Sequence, residues 1–205
     1  MRFRKEYGIK GCVALLLFIS IFTLYIVFSP TYLPKPYGHP YIPLPKHTYV
    51  PLSNDFPYSF EVSSHATVSK DTLSSTSSEP YWITITYPEF QAIIQITYKS
   101  VKQDQGLLNS YFEDSYRLSM KHQIRASAID SDILQLPNGV TATFVTLKGQ
   151  VSSPFQFYTT DGTHHFLRGV VYFFTSQEND YLAPIIDFIK VDILHLLNTL
   201  HWRKY

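Results

Sequence analysis

The feature that constrains this chain most is a run of uncharged, mainly apolar residues near its N-terminus, residues 11–29 (GCVALLLFISIFTLYIVFS). As an α-helix, this run would be about 28 Å long at about 1.5 Å per residue, close to the hydrocarbon thickness of a bilayer. It is apolar on every side, sits near the terminus and has a basic flank, which disfavours a buried helix of a soluble core. Residues 1–10 carry a net charge of +3, which predicts a cytoplasmic N-terminus and export of everything after Ser29.

We predict that residues 11–29 form an uncleaved transmembrane signal anchor, with a cleaved signal peptide as the alternative. The run exceeds the roughly 7–15 residues of a signal-peptide core, and no A-x-A-like site precedes Pro30. The single cysteine, Cys12, lies at the beginning of the run, whereas a lipoprotein signal needs a cysteine at the end. One cysteine also excludes an intrachain disulfide and a metal site built from cysteines.

A proline-rich stretch, residues 30–57, follows the apolar run and holds eight of the 13 prolines. Proline fixes φ and lacks the backbone N–H, so the stretch is neither a helix nor a central strand. In polyproline II form it would reach about 85 Å at about 3.1 Å per residue. It is therefore predicted to be a tether that carries a domain at 58–205. Four tyrosines favour packing of part of it on the domain or on a partner: Tyr32, Tyr37, Tyr41 and Tyr49.

Beyond Phe56 the pattern becomes that of short strands joined by hairpins. Alternating apolar residues at 81–87 and 90–98, separated by Pro88 and Glu89, predict the first hairpin. Further strands are expected at about 123–134, 140–148, 154–160 and 165–175. Asp161-Gly162 between the last two is a hairpin signal. The segment Ser63–Glu79, rich in Ser and Thr, is expected to include an exposed loop.

Two amphipathic helices are expected, at 106–122 and at about 180–200. The first should bury a stripe of residues: Leu107, Leu108, Tyr111, Phe112, Ser115 and Leu118. Glu113 and Arg117 should pair at i,i+4, and Asn179 or Asp180 should cap the second helix. The second helix should present a wide apolar face: Leu182, Ile185, Ile186, Ile189, Ile193, Leu196, Leu197 and Leu200. The order predicts an α+β fold with a largely antiparallel sheet of about six to seven strands, packed with two main helices and preceded by one transmembrane helix.

Catalytic signatures are missing from the sequence: it has no G-x-S-x-G, H-E-x-x-H, P-loop or G-x-G-x-x-G. Residues 30–205 hold 13 basic and 15 acidic residues, which does not indicate nucleic-acid binding. Other polar residues have structural interpretations. We expect His164 and His165 beside Asp161 to belong to a turn and a strand start, Asp130 and Asp132 to be solvated, and His195 to lie at the core boundary. No metal or cofactor is predicted.

Among the polar residues, Arg168 has the most unusual position. It lies in the apolar strand HFLRGVVYFF and shares a face with Phe166, Val170 and Tyr172. An arginine there needs a carboxylate, a carbonyl cluster or an anionic ligand, and a structural ion pair is the favoured interpretation. Gly169 beside it indicates a β-bulge or a close backbone approach.

Four segments in order resemble the gliding-motility lipoprotein family D (GldD). They are YLPKPYG at 32–38, FPYSF at 56–60, WITITYPEFQAIIQITY at 82–98, and the C-terminal run from HFLRGVVYFF at 165–174 to LHLLNTLHW at 194–202. The resemblance implies a non-catalytic accessory protein of gliding motility and type IX secretion, held in the cell envelope. The family places a lipidated cysteine just before the Y-x-P-K-P segment, whereas this chain has Ser29-Pro30-Thr31.

The resemblance and the anchor together favour the inner membrane with a periplasmic domain, rather than an outer-membrane lipoprotein. The leading hypothesis is an anchored interaction module whose partners are the membrane and other envelope proteins. The alternatives are a periplasmic domain that binds lipid, glycan or peptide, and a hydrolase with its site near His165 and Asp161. The candidate interaction or ligand residues are Tyr32, Pro34, Lys35, Pro36, Gly38, Phe166, Arg168 and Gly169.

Overall fold

The computed structural model describes residues 3–28, 42–52, 56–70, 81–121, 123–174 and 179–203. The chain divides into two compact units, residues 1–39 and residues 40–205. The first unit contains one helix, α1 (Phe3–Phe28), which includes nearly all of the uncharged run. The large apolar side chains described along it, from Leu15 to Phe28, are exposed. No helix within the described ranges is both long enough and apolar enough to cross a membrane.

The second unit is an α+β domain built on one antiparallel sheet, as the sequence predicts. Its strands, in chain order, are β1 (Tyr49–Pro51), β2 (Tyr58–Ser59), β3 (Glu61–Ser63), β4 (Thr67–Lys70), β5 (Ile83–Tyr87), β6 (Ala92–Ser100), β7 (Ala126–Gln135), β8 (Thr141–Gly149), β9 (Phe155–Thr160), β10 (His165–Phe173) and β11 (His201–Trp202). Its helices are α2 (Gln105–Met120) and α3 (Asn179–Asn198). The seven-stranded sheet has the order β4-β5-β6-β10-β9-β8-β7, and two short ladders pair β1 with β3 and β11 with β2.

The two predicted hairpins form with the expected strand partners. Strand β5 pairs with β6, with Tyr87 opposite Ala92 across a short 3-10 turn at Pro88–Phe90. Gln91 closes this turn with a left-handed φ of 49°. Strand β9 pairs with β10 across the turn at Asp161. Alternation places Ile83, Ile85 and Tyr87 in the core, because successive side chains of a strand point to opposite faces.

The helices cover opposite faces of the sheet. Leu167 of β10 packs in the large core with α3, whereas its neighbour Phe166 packs in a smaller cluster with Leu108 of α2. All eight apolar residues predicted for the stripe of α3 are buried: Leu182, Ile185, Ile186, Ile189, Ile193, Leu196, Leu197 and Leu200. Helix α2 begins at the Asp104 cap, whose Oδ1 accepts hydrogen bonds from the N–H groups of Gly106 and Leu107.

Several details differ from the sequence prediction. Leu118 of α2 is exposed rather than buried, because the groove described below lies beside it. Arg117 pairs with Asp114 at 2.6 Å instead of Glu113, since i,i+3 positions also lie side by side on a helix. Residues 67–70 of the expected loop add a strand to the sheet edge. Within the stretch assigned to the tether, residues 49–51 form an edge strand of the domain.

Candidate functional site

A groove of about 230 Å³ lies between α2 and the sheet, over strands β6 and β10. Strand β10 contributes Phe166 and Arg168, and β6 contributes Thr97 and Lys99. These side chains share a face because Arg168 pairs with Thr97 and Phe166 with Lys99 in the ladder. The remaining lining residues come from the position just before β5 and from α2: Trp82, Tyr111, Asp114, Ser115 and Leu118. We call this the α2 groove.

Arg168 is held in the α2 groove by an amide rather than by a carboxylate. Its Nη2 donates to Oε1 of Gln156 at 2.7 Å, and the same oxygen accepts from Oγ of Ser119 at 3.1 Å. Gln156 is buried and anchors this polar cluster beneath the helix. Burial lowers the pKa of Arg168, while the neighbouring Tyr172 acts in the opposite direction.

The favoured structural ion pair of Arg168 is therefore not found among the described residues. Its guanidinium has five donors in a rigid fork, and the hydrogen bond to Gln156 uses one N–H group. A carboxylate or another anionic group that entered the groove would meet the positive charge of Arg168 in a partly desolvated setting. Such a setting strengthens charge-assisted hydrogen bonds.

Lys99 supplies a second cation at the groove wall. Its Nζ lies 5.8 Å from the ring centroid of Trp82 and 5.4 Å from that of Tyr111, both within the range of cation–π contacts. The indole N–H of Trp82 donates to the carbonyl of Tyr98 at 2.9 Å, which fixes the ring. The one carboxylate among the described lining residues, Asp114, already pairs with Arg117. The α2 groove is thus an aromatic cleft with two cations.

A side chain at Gly169 would lie on the opposite face of the sheet from Arg168. The sequence indicates either a β-bulge or a close backbone approach at this glycine. A Cβ at this position would lie 2.2 Å from two ring atoms of Phe157, which is fully buried. The ladders of β10 with β6 and β9 continue through Gly169 without a shift in register. The glycine therefore reflects a close approach of an aromatic ring, and the predicted alternative of a bulge does not occur here.

Asp161 and the two histidines form the turn between β9 and β10. Oδ1 of Asp161 accepts from the N–H groups of Thr163, His164 and His165 at 2.7–2.9 Å. Burial opposes ionisation of this carboxylate, but the hydrogen bonds from these three N–H groups outweigh it and lower the pKa of Asp161. The carboxylate is thus occupied with holding the turn.

His165 lies beside a cleft of about 460 Å³ at the same end of the sheet. Its ring stacks on Trp202 at 5.0 Å between centroids, and its Nδ1 lies 2.8 Å from the hydroxyl of Tyr98. Burial lowers the pKa of His165, with Asp161 opposing and His164 adding to the shift. His164, in contrast, is exposed and contacts Gln103. Both histidines nevertheless line this cleft, together with Asp161.

The remaining carboxylates singled out in the sequence are solvent-facing. Asp130 pairs with Lys148 at 3.1 Å, and both side chains are more than half exposed. Asp132 is exposed on the same strand. Within the described ranges, no group of three or more His, Cys, Asp or Glu residues is placed to hold a metal ion.

A buried carboxylate that no sequence pattern singled out is Asp192 of α3. Its Oδ1 lies 2.6 Å from Nδ1 of His47 and accepts from the hydroxyl of Tyr49 at 3.1 Å, while Oδ2 accepts from the hydroxyl of Tyr87 at 3.0 Å. Burial, followed by the charge of Asp192, raises the pKa of Tyr49 to about 12 and also raises that of Tyr87. Next to this cluster, His195 pairs with Glu61 at 2.6 Å and stacks on Tyr49, so His195 lies at the core boundary.

This cluster ties His47 and Tyr49, in the last part of the proline-rich stretch, to α3. Asp192 stands three residues after Ile189 and just before Ile193, on the apolar side of the helix. That position was the available signal, because a carboxylate on a buried helix face needs partners. The partners lie more than 100 residues away in sequence, so no local pattern identifies them. Tyr32, Pro34, Lys35, Pro36 and Gly38 lie outside the described residues.

Together, the sheet, its two covering helices and the α2 groove define a single-sheet α+β domain. The family model for the gliding motility lipoprotein GldD matches residues 29–202. The chain belongs to this family, which implies a location in the cell envelope and is consistent with an accessory role in motility.

Other comparisons add little to this assignment. No curated protein matches the sequence. Among solved structures, the chain is similar to cyanobacterial PsbP (CyanoP) from Synechocystis sp. PCC 6803, at 8% identity and a TM-score of 0.48. That similarity covers 78% of this chain and 95% of the cyanobacterial one.

Proposed function

We propose that this chain is a non-catalytic accessory protein of gliding motility and type IX secretion, anchored in the envelope, and that it acts as an interaction module. The family match over residues 29–202 is the observation that carries this proposal. The contact surface on the domain is the α2 groove, where Arg168 and Lys99 stand between aromatic walls. An acidic or carbonyl-rich segment of another envelope protein would complete the hydrogen bonds of Arg168.

The anchor in this proposal is the uncharged run at 11–29, with the N-terminus in the cytoplasm and the domain in the periplasm. The run has the length of a bilayer core and a basic flank, and its one cysteine stands at its start. A Cys12→Ser variant should therefore remain in the inner-membrane fraction after cell lysis and carbonate washing. Loss of this variant from the membrane, or incorporation of a labelled fatty acid by the wild type, would instead indicate a lipid anchor.

The interaction role is tested in a strain that lacks the chromosomal copy and expresses single variants. Arg168→Met keeps most of the apolar stem and removes the charge, whereas Arg125→Met changes an exposed arginine outside the groove. Spreading of colonies on agar and export of secreted proteins should fall at least tenfold with Arg168→Met and stay at the wild-type level with Arg125→Met. Equal membrane levels of both variants, measured by immunoblot, are the required control. Normal spreading with Arg168→Met would refute the α2 groove as the contact surface.

A second candidate function is the binding of an envelope lipid, glycan or peptide in the same groove. It is favoured by the position of Lys99 over two aromatic rings, an arrangement that suits a ligand with both anionic and apolar parts. Lipid, glycan and peptide fractions of the envelope should then raise the melting temperature of the purified chain, but not that of Arg168→Met. If no fraction stabilises the chain, the ligand-binding function is wrong and the protein–protein role remains.

A further inference from the structure

Strand β7 is the last strand of the seven-stranded sheet, and its outer edge has no strand partner among the described residues. After a register shift near Ala126, eight residues, 128–135, pair without interruption with β8. This stretch has neither proline nor lysine, and residues 130–135 are all exposed. Proteins commonly protect such edges with short strands, prolines or lysines, because an open edge is a template for another strand. Strand β7 has none of these three. Charged side chains and bulges also discourage edge pairing, and β7 has two aspartates, Asp130 and Asp132, and one register shift at its first residues.

Two clefts flank β7, one on each face of the sheet. On the α2 side, a cleft of about 310 Å³ lies between Ile129 of β7 and Met120 of α2. On the α3 side, a cleft of about 240 Å³ lies between Leu134 of β7 and Leu194 of α3. Ile133 and Leu134 point to opposite faces and are 75% and 43% exposed. Alternate side chains of a strand added to β7 would therefore have an apolar surface available on each face.

The charges on β7 argue against a second copy of this chain as the occupant. A two-fold axis between two antiparallel strands must place one residue opposite its own symmetry mate. An axis near the middle of β7, at Asp130, Ser131 or Asp132, sets an aspartate opposite an aspartate. Like charges in directly opposed positions destabilise a strand pair.

The proline-rich stretch of the chain itself is also unsuitable. Between Pro30 and Pro45 no proline-free run exceeds three residues. A strand in this position must offer regularly spaced N–H groups, which proline lacks. Residues 49–51 of the stretch already pair with β3.

We propose that the outer edge of β7 is a docking site for an extended segment of a different envelope protein, which pairs as an eighth strand. This inference rests on the proposed function and specifies its partner. The segment carries apolar residues on both faces and a lysine or arginine that faces Asp132. Asp130 already has Lys148 as its partner, whereas no described cation pairs with Asp132. A basic side chain of the added strand would therefore have Asp132 as its partner.

The first test places a photoreactive phenylalanine analogue at Ile133 of the full chain in living cells. Phe174, an apolar residue of similar exposure at 69%, is the matched control position. Crosslinks from position 133 should exceed those from position 174 at least tenfold. Mass spectrometry should map them to a proline-free segment of another protein with a basic residue. Crosslinks mapped to a second copy of this chain, or none from position 133, would overturn the proposal.

The second test distinguishes backbone pairing from side-chain contact. Of two adjacent residues in an antiparallel edge strand, one directs its N–H to the neighbouring strand and the other directs it outward. Of Ser131→Pro and Asp132→Pro, one should therefore keep a melting temperature near that of the wild type and lose the crosslink from position 133. Retention of the crosslink in that folded variant would overturn strand pairing. Asp132→Lys, which needs no backbone change, should reduce crosslinking about tenfold, and an unchanged yield would refute the basic partner.

These results can be separated from a failure of the proposed function. If a strain lacking the chain spreads normally, the motility role is wrong, whatever crosslinks at position 133. If spreading requires the chain but Asp132→Lys and the folded proline variant both spread and crosslink normally, only the pairing at β7 is wrong.

Discussion

The two faces of the sheet are filled in different ways. On the α3 face, strands β5, β6, β8, β9 and β10 and helix α3 share one continuous core. On the α2 face, buried apolar residues form two small clusters around Leu108 and Leu147, with the polar cluster of Gln156, Ser119 and Arg168 between them. Apolar burial dominates folding free energy, so the α3 face should carry most of the stability.

The difference follows from the sequences of the two helices. Helix α3 has a wide apolar face, whereas α2 places serines at 115 and 119 on its buried side. Small hydroxyl side chains bring α2 close to the sheet and hydrogen-bond its own backbone or Gln156. They fill little volume, which leaves room for the α2 groove. A face that is incompletely filled by its own chain is the one available to a partner.

The largest expected effect comes from removing side-chain volume on the α3 face. Ile193 is fully buried, and Ile193→Ala should lower the free energy of unfolding by about 4 kcal/mol through lost burial and a cavity. The matched change on α2, Leu118→Ala, should cost less than about 1 kcal/mol because Leu118 is exposed. Urea unfolding of the purified full chains measures both. Equal losses would mean that stability is not concentrated on the α3 face.

A somewhat smaller effect is expected from the buried carboxylate on the α3 face. Asp192→Ala leaves Tyr87, Tyr49 and His47 without their acceptor, which should cost about 3 kcal/mol. Asp187 on the same helix is exposed and pairs loosely with Lys190 at 3.8 Å, so Asp187→Ala should cost under about 0.5 kcal/mol. The same unfolding experiment compares them. An Asp192→Ala variant as stable as Asp187→Ala would show that the cluster does not hold residues 47–49 against α3.

Much of this fold is predictable because its signals are local. The strands of the sheet from β5 onward begin and end within about three residues of the predicted bounds, since alternation and turn residues act over neighbouring positions. The apolar stripe of α3 is confirmed in full for the same reason. The two-residue strands β2 and β11 carry no such periodicity. They form because the segments after 57 and after 200 meet in the folded domain.

The α2 groove was only partly predictable. Arg168 in an apolar strand signals an unusual position, because a buried cation is costly without partners. The identity of that partner, Gln156, depends on the pairing of β9 with β10 and of α2 with both. Lys99 and Trp82 look like ordinary surface residues in the sequence, and only the sheet brings them to the same wall. Sequence alone thus identifies the cation but not the cleft.

Two adjacent residues of β10, Arg168 and Gly169, face opposite sides of the sheet. Gly169→Ala places a methyl group against the Phe157 ring on the α3 face and should cost about 2 kcal/mol through overpacking. Arg168→Met on the α2 face loses one charge-assisted hydrogen bond, while Gln156 keeps Ser119 as a donor, so it should cost about 1.5 kcal/mol.

The two variants should then rank in opposite order for stability and for motility. Gly169→Ala lowers the melting temperature more but leaves the α2 groove intact, so cells that still accumulate it should spread normally. Arg168→Met melts closer to the wild type and should abolish spreading. Melting curves of the purified chains and spreading assays, compared at equal membrane levels, measure the two rankings. The same order in both would mean that motility simply follows folding and that the α2 face has no separate role.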